Sequence, residues 1–386
     1  MDKKGAVLLV AVIGLVTLSA FGITLVSMLS YESKTAVEVS HAQKAFSLAE
    51  AGIEKGIYYL VQASTYRVVD RTEYLKEDRY IFSVVDGSAT GVVNITSTGR
   101  TTLSNKTSYL TVNVSTSEAL HPAFSYAVFT GNGNAMLYNS AWVSGNVLAR
   151  GNVYVATNAK ITDGTAAATG KVYGPGKYTK GTLPSPVPTM PTLTTTYYDT
   201  LISSAQGQPP GNKTYSSTVN LASSTILVRG NVTITGSARI IGPGRIVATG
   251  TITVQQNSRV ENNVELIANG SITIRNNARI INGKTVFSKY RIYLYNNANV
   301  TASIVAQNNI YFRNRSLVNG IVYSSYYIYT YNATSINGSV VVQSAYLYNT
   351  GGKITYNVTY ASDTPTGIQK QIISNVSPIA NTWFGG

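Results

Sequence analysis

Few residues of this chain have the types and spacing needed for acid–base, nucleophilic or metal chemistry. Residues 142–386 contain five carboxylates, namely Asp163, Asp199, Glu261, Glu265 and Asp363. The whole chain has two histidines, His41 and His121. There is no cysteine, which excludes disulfides, thiolate nucleophiles and thiolate metal ligands. Glu261 and Glu265 are near each other in sequence, but glycan hydrolysis or lysis needs a further clustered acid or base. The sequence therefore predicts no enzyme, no cofactor and no metal site.

Tyrosine and arginine recur at spacings that would place them together on one exposed surface. The chain contains 28 Tyr. The candidate ligand-binding face consists of Tyr293, Tyr295, Tyr311, Tyr329, Tyr331, Tyr348, Arg291 and Arg313. Aromatic rings beside guanidinium groups suit sugar rings, or nucleic-acid bases and phosphates. Stacked tyrosines also stabilise exposed β-structure through cross-strand pairing alone, and both interpretations remain open.

A second group of cations is expected to form a basic ladder, made of Lys160, Arg239, Arg259 and Arg279. The net charge of +14 comes from the C-terminal part of the chain. Residues 142–386 hold 19 Lys and Arg against five Asp and Glu, whereas residues 1–141 hold 11 of each. Such an excess either maintains solubility or attracts anionic partners such as cell walls, acidic polysaccharide or DNA.

A sequence repeat positions these residues. Its lead positions, separated by 18–20 residues, are Val232, Ile252, Ile272, Ile292, Ile310, Ile328 and Leu347. The residue two positions after each lead is mostly apolar, and the residue six positions after each of the first six leads is small. Four positions after the lead, four successive repeats carry Asn276, Asn296, Asn314 and Asn332, a residue type that tolerates positive φ and can form amide ladders. The period predicts a β-solenoid over residues 121–360.

The solenoid is expected to be interrupted at residues 171–226. This stretch is rich in proline around residues 184–191, and it contains one short helical segment, Thr196–Ala205. We expect it to form an arm that lies on the solenoid, with a C-terminal tail at residues 361–386.

The N-terminal region predicts a long helix over residues 6–63. Ala6–Leu29 carries no charge and is long enough to cross a bilayer core of about 30 Å. The helical pattern continues with apolar residues on one face up to Leu60. Three runs of alternating polarity follow within residues 64–120, and they predict a small antiparallel sheet that packs on this helix. The fold class is thus an α+β module followed by an all-β solenoid.

The apolar segment has three interpretations. A cleaved signal peptide normally has a shorter apolar core, although Leu18-Ser19-Ala20 is an acceptable cleavage motif. A permanent signal anchor is the second interpretation. The third is a prepilin-like leader, residues 1–5, from which the apolar helix is retained in the mature protein. Lys3 and Lys4 place the N-terminus in the cytoplasm and the rest of the chain outside.

Two segments resemble PilX-type minor pilins. Lys3–Val10 (KKGAVLLV) is similar to the start of that family, and Ala45–Gly52 (AFSLAEAG) is similar to its A-F-x-A-A-E-A-G helix signature. Ile95–Arg100 is similar to a segment often found in the sheet of these proteins. The order of proline-rich arm, helix and strands also resembles the β-helical region often joined to such N-termini.

The resemblance implies cleavage between Gly5 and Ala6 by a prepilin peptidase, and assembly with other pilins or pseudopilins through the helix. Major pilins place a glutamate at the fifth mature position, which here is Val10. This departure implies a minor or initiating subunit. The expected protein is a single-pass membrane protein, later found at the cell surface or in a pilus, whose solenoid contacts surface glycans, cell wall or DNA. The alternative is an anchored adhesin that does not polymerise.

Overall fold

A computed structural model of the chain describes residues 3–89, 91–348, 350–361, 364–379 and 384–385. It confirms the expected fold class: a long N-terminal helix, a small antiparallel sheet, and a β-solenoid. The chain divides into two compact units, one of residues 1–118 with 372–386 and the other of residues 119–371. Asp363 lies outside the described residues.

The helices are α1 (Lys3–Gln62), α2 (Thr196–Gln206) and α3 (Val358–Ala361), with a 3₁₀ turn at Pro122–Ser125. The strands, in chain order, are β1 (Val68–Leu75), β2 (Asp78–Asp86), β3 (Val92–Arg100), β4 (Asn105–Ala119), β5 (Val128–Thr130), β6 (Ala135–Leu137), β7 (Trp142–Ser144), β8 (Val147–Ala149), β9 (Val153–Val155), β10 (Lys160–Thr162), β11 (Ala166–Ala168), β12 (Val172–Tyr173), β13 (Lys213–Tyr215), β14 (Val219–Asn220), β15 (Thr225–Val228), β16 (Val232–Ile234), β17 (Arg239–Ile241), β18 (Gly244–Ala248), β19 (Ile252–Val254), β20 (Arg259–Glu261), β21 (Val264–Ala268), β22 (Ile272–Ile274), β23 (Arg279–Ile281), β24 (Thr285–Ser288), β25 (Ile292–Leu294), β26 (Asn299–Thr301), β27 (Ser303–Ala306), β28 (Ile310–Phe312), β29 (Leu317–Tyr331), β30 (Ser335–Tyr348), β31 (Lys353–Tyr356), β32 (Gln371–Pro378) and β33 (Phe384–Gly385).

Helix α1 has two halves of different character. From Val10 to Val39 nearly all of its side chains are exposed, although most of those up to Leu29 are apolar. By length and composition the helix is able to cross a membrane. From Ala45 to Leu60, apolar side chains on one face are buried against β2 and β3. Because only this second half has a core to pack on, the two halves need different surroundings.

The sheet on this helix has more strands than the sequence predicts. Its order is β1-β2-β3-β4-β32, with β33 also paired to β4. The sequence predicts only three strands because Asp70, Arg71 and Glu73 interrupt the alternating pattern in the stretch that forms β1. It is an edge strand whose side chains are mostly exposed, a position where charged residues are common. The expected C-terminal tail supplies β32 and β33.

The solenoid coils have three faces. Successive coils pair in parallel and in register, for example Ile252 with Ile272 and Ile272 with Ile292. The lead residues of the repeat up to Ile328, and the residues two positions after them, are buried and fill the interior. All of them are apolar except Thr330. We name the outer surfaces the tyrosine face (β16, β19, β22, β25, β28), the arginine face (β17, β20, β23, β26) and the covered face (β15, β18, β21, β24, β27). The long strands β29 and β30 pass through all three faces, in the order arginine, covered and tyrosine.

The coils do not stack in the order in which the chain forms them. The first strands, β5, β6 and β7, pair with the last, β30 and β31, so that Val128 lies beside Val340 and Trp142 beside Lys353. The chain then winds through β8–β12, crosses by way of the arm, and starts again at β13, which pairs with β16. The predicted interruption at 171–226 is therefore too wide, because β12 and β13–β15 belong to coils.

The arm covers one face of the solenoid. Helix α2, close to the predicted segment, buries Tyr198, Ile202 and Ala205 against outward apolar residues of the covered face. The ring of Tyr198 stacks on Phe287 with centroids 3.5 Å apart. The Tyr323 hydroxyl donates to the Pro191 carbonyl at 2.8 Å. One side of the solenoid is thus occupied by its own chain, whereas the tyrosine and arginine faces carry half-buried and exposed polar side chains.

Candidate ligand-binding surface of the solenoid

The tyrosine face carries a straight row of stacked rings. Tyr293, Tyr311, Tyr329 and Tyr346 are in register, with successive ring centroids 5.1, 5.1 and 5.2 Å apart and interplanar angles of 13°, 6° and 10°. The sequence placed Tyr348 at the end of this row, which is wrong. A register shift between Ser324 and Tyr327 brings Tyr346 into line instead.

A second row runs beside the first and contains the remaining predicted residues of this face. Tyr348 stacks on Tyr331 at 5.3 Å and on Tyr138 at 4.8 Å. The guanidinium of Arg313 lies 5.0 Å from the ring centroid of Tyr331 and 5.9 Å from that of Tyr295. Arg313 therefore occupies a place in the row between two tyrosines, where it makes cation–π contacts with both.

Arg291 lies at the edge of the same face. Its guanidinium is 4.6 Å from the ring centroid of Tyr290, and a hydrogen bond to Tyr293 raises the pKa of Arg291. The structure thus brings the predicted tyrosines and arginines of this face together. The sequence missed Tyr138, whose coil is remote in the chain and joins this row only because the first coils stack on the last.

The ring contacts decide which atoms this face presents. Because successive rings stack on one another about 5 Å apart, their π-faces are largely occupied, and ring edges and hydroxyl groups point outward. Burial raises the pKa values of Tyr295, Tyr329 and Tyr348, so their hydroxyls remain protonated at neutral pH. The face is suited to hydrogen bonding with hydroxyl-rich or anionic ligands more than to intercalation of flat rings.

The predicted basic ladder consists of two separate clusters. Arg239, Arg259 and Arg279 lie in register on successive coils of the arginine face. Glu261 accepts a hydrogen bond from Arg239 at 2.6 Å and lies 3.9 Å from Arg259. Lys160 is not next to them, because its coil is among those that stack on the C-terminal end.

Lys160 instead belongs to a cluster around Trp142. The Nζ atoms of Lys160 and Lys353 lie 3.8 and 4.2 Å from the Trp142 ring centroid, on neighbouring coils. The Trp142 indole donates to Thr162 at 2.8 Å. The repeat also fits Ala135 to Val143 in the sequence, and it places Trp142 in the same column as Lys160, seven positions after its lead. The repeat does not place Lys353 in this column, because the register shift between Ser324 and Tyr327 changes the spacing of the last coil.

The carboxylates of the solenoid that the structure describes are each engaged with neighbours. Glu265 is buried, accepts a hydrogen bond from the Tyr197 hydroxyl at 2.7 Å, and lies 3.3 and 3.4 Å from Arg245 and Lys284. Glu261 contacts other partners, so these two acids do not form a pair. Asp199 of α2 bonds Lys289 at 2.8 Å. Among the described residues, no group of three or more His, Asp or Glu is arranged to hold a metal ion.

Comparisons with known proteins give limited information. No protein-family model matches the chain, and no curated protein matches it in sequence. Among solved structures, the chain is similar to the competence-associated pilin ComZ from Thermus thermophilus, with 13% identity, a TM-score of 0.31, and coverage of 90% of this chain and 97% of that one.

Two ice-binding proteins also match in structure. One is a glycosylated protein from an Arctic yeast (12% identity, TM-score 0.25, 62% of this chain and 94% of that chain). The other comes from an Antarctic biological consortium (11% identity, TM-score 0.26, 62% and 91%). At these TM-scores the likenesses support no functional argument. The structure itself defines the class: a β-solenoid protein with a small helix-backed sheet and one N-terminal helix able to cross a membrane.

Proposed function

We propose that this chain is a minor pilin or pseudopilin of a type IV pilus-like or secretion system. A prepilin peptidase removes residues 1–5 between Gly5 and Ala6. The helix holds the protein in the membrane with its N-terminus in the cytoplasm, and the protein then enters a filament or its tip. Outside the cell it displays the basic, tyrosine-rich solenoid for adhesion or spacing.

The observation that carries this proposal is the contrast between the two halves of α1. Leu15, Leu18 and Phe21 are 70–76% exposed, whereas Ile53 and Leu60 are fully buried on the sheet. Each large apolar side chain left in water forfeits about 1.5–3 kcal/mol of burial free energy. A membrane, or a bundle of like helices in a filament, supplies the apolar surroundings that the first half needs.

Val10 supports a minor rather than a major subunit. In the family that the N-terminus resembles, a glutamate at this position of major subunits neutralises the amino terminus of a neighbour. Val10 cannot form that ion pair, so a filament built from this chain alone would leave each buried amino terminus without its partner. We also propose that the solenoid binds rather than catalyses, because Glu261 and Glu265 are engaged with basic partners.

The mature N-terminus provides the direct test. Mass spectrometry of protein from membranes is expected to show a chain that begins at Ala6. Gly5→Val is expected to leave the leader attached, whereas Gly14→Ala, at a helix position with open space around it, is expected to be processed normally. A mature chain that retains Met1, or that begins near Phe21, would contradict the proposal.

The alternative is a permanently anchored adhesin that never polymerises, and the absence of a glutamate at Val10 is the observation that favours it. Shearing of cells separates the two. A minor pilin is expected in the sheared filament fraction together with other pilins, whereas an anchored adhesin would stay with the membranes.

A further inference from the structure

A shallow groove follows the corner between the tyrosine and arginine faces. Its volume is about 540 Å³, and it is lined by Asn296, Asn297, Asn314, Arg315, Asn332, Ala333 and Thr350. These residues come from consecutive coils, and four coils at a spacing of about 4.8 Å give a groove roughly 15 Å long. No carboxylate is among the residues that line it.

The floor of the groove is a ladder of side-chain amides. Asn296 donates to Asn276 at 3.0 Å, Asn314 donates to Asn296 at 2.9 Å, and Asn332 donates to Asn314 at 3.3 Å. All four have positive φ, as expected from the sequence. Each amide has two N–H donors and an oxygen with two lone pairs. The ladder uses one donor and one lone pair at Asn296 and at Asn314, which leaves one of each at both residues for a ligand.

Cations border this amide floor. Arg315 lines the groove and is exposed, Arg313 is held beside it between two tyrosine rings, and Arg279 stands on the arginine face of the same corner. Among the described residues, none of these three arginines forms an ion pair, whereas Arg239 shares Glu261. Uncompensated guanidinium groups beside a polar groove favour an anionic ligand.

We propose that this groove binds an acidic glycan chain that lies along the solenoid axis. The sugar hydroxyls bond the free donors and acceptors of the asparagine ladder and the phenol groups of the neighbouring tyrosine rows. The carboxylates of the glycan bond Arg315 and Arg313. The inference rests on the proposed function, in which the solenoid is displayed outside the cell, and it names an acidic glycan as the ligand of that solenoid.

The same contacts disfavour single-stranded nucleic acid. Proteins that bind it use aromatic ring faces on which bases stack. Here the rings of Tyr293, Tyr311 and Tyr329 already stack on each other at 5.1 Å, which leaves no room for a base between them. The hydroxyls and carboxylates of a glycan can instead hydrogen-bond to the tyrosine hydroxyls at the ring edges, the asparagine amides and the guanidinium groups at this corner.

Binding by the detergent-solubilised full-length chain tests the proposal. The probes are a polygalacturonate oligosaccharide, a neutral maltooligosaccharide of similar length, and an oligothymidylate. The polygalacturonate probe is expected to bind most tightly, and Arg315→Gln is expected to weaken it by about tenfold, the loss of one charge-assisted hydrogen bond. Arg229→Gln, which removes the same charge from an exposed site near β15, is the matched control and is expected to leave affinity within about twofold.

Three outcomes would overturn the proposal: equal affinity for the neutral glycan, tighter binding of oligothymidylate, or equal losses in Arg315→Gln and Arg229→Gln. The last would show that net charge alone attracts the probe. Because the measurement uses isolated protein, it does not depend on leader processing or polymerisation. Failure here would leave the pilin proposal standing, and failure of the processing test would leave a glycan-binding surface on an anchored protein.

Discussion

At the scale of single residues, two glycines allow the helix and the sheet to approach closely. A Cβ at Gly99 of β3 would overlap the carbonyl oxygen of Ala45 and lie 2.7 Å from the amide nitrogen of Ala49. A Cβ at Gly52 of α1 would overlap Ser97 and lie 2.9 Å from the ring of Tyr80. The segments 45–52 and 95–100, each of which resembles a pilin motif, are thus the two sides of one contact.

We predict that Gly99→Ala destabilises this module by about 1–3 kcal/mol, because the clash is with helix backbone that has little freedom to move. Faster hydrogen exchange of the amides in β2 and β3 measures the effect. Gly14→Ala, which meets no atom within 4 Å, is the control and is expected to leave exchange unchanged. Unaltered exchange in Gly99→Ala would show that the helix shifts without cost.

The tyrosine rows show what residue patterns predict and where they fail. Tyr293, Tyr311 and Tyr329 were assigned correctly to one row, because each follows a buried lead residue at a constant offset. Tyr348 was misplaced because the coil after Ile328 is shorter, so that Ala345 rather than Leu347 stacks on Ile328. Leu347 is also apolar and lies only two residues from Ala345. The spacing of apolar residues therefore did not reveal that this coil is shorter.

At the scale of elements, the arm is fastened by a phenol and a buried carboxylate. Tyr197 of α2 donates to Glu265, and burial, together with this hydrogen bond, raises the pKa of Tyr197 to about 12. Burial also raises the pKa of Tyr198. Docking of the arm therefore stabilises the protonated form of these phenols, whereas in a detached arm the pKa of Tyr197 would be near the ordinary tyrosine value of 10.0.

The arm is thus predicted to weaken at alkaline pH. Below pH about 10 both states keep the Tyr197 proton, and above it the detached arm loses the proton first, so stability falls as pH rises toward 12. Hydrogen exchange of α2 between pH about 8 and about 11, corrected for intrinsic rates, measures this. In Tyr197→Phe the docked arm is expected to be less stable at pH about 8, but its stability is expected to fall less steeply as the pH rises. Equal slopes in the two proteins would contradict the assignment.

Some elements were easier to predict than others. Helix α2 was expected almost to its observed ends, since its helical stretch lies between a proline-rich segment and a glycine. Strand β1 was missed because an edge strand needs only one partner, and its side chains are mostly exposed, so they create no pattern of buried residues. Strand β32 was missed as well, and it too lies at an edge of the sheet. Their positions depend on pairing with segments that are distant in sequence.

At the scale of the molecule, the solenoid contains a seam at which the first coils of the chain stack on the last. Gly131 donates to Val342 and Tyr138 to Leu347, both at 2.8 Å, and the buried side chains of Val128 and Val340 meet inside. The repeat predicts that coils exist but carries no information about which coils are neighbours, since every coil offers a similar parallel edge. The stacking order was therefore beyond sequence reasoning.

This seam predicts that the solenoid survives a cut in its arm. A specific protease site inserted between Leu183 and Pro184 is expected to yield two fragments that co-elute on size exclusion, because β5–β7 stay paired with β30 and β31. A chain lacking residues 372–386 is used, since β32 also pairs with β4.

The seam itself is tested by Gly133→Ala in the cut chain. A Cβ there would overlap Ser344 and lie 2.8 Å from the Gln343 carbonyl, across the seam. The fragments of this variant are expected to separate at lower denaturant concentration than those of Gly211→Ala, where the added methyl group meets no atom within 4 Å. Fragments that separate without denaturant even in the unsubstituted chain would mean that the first coils do not stack on the last, and the stacking order of the coils would be wrong.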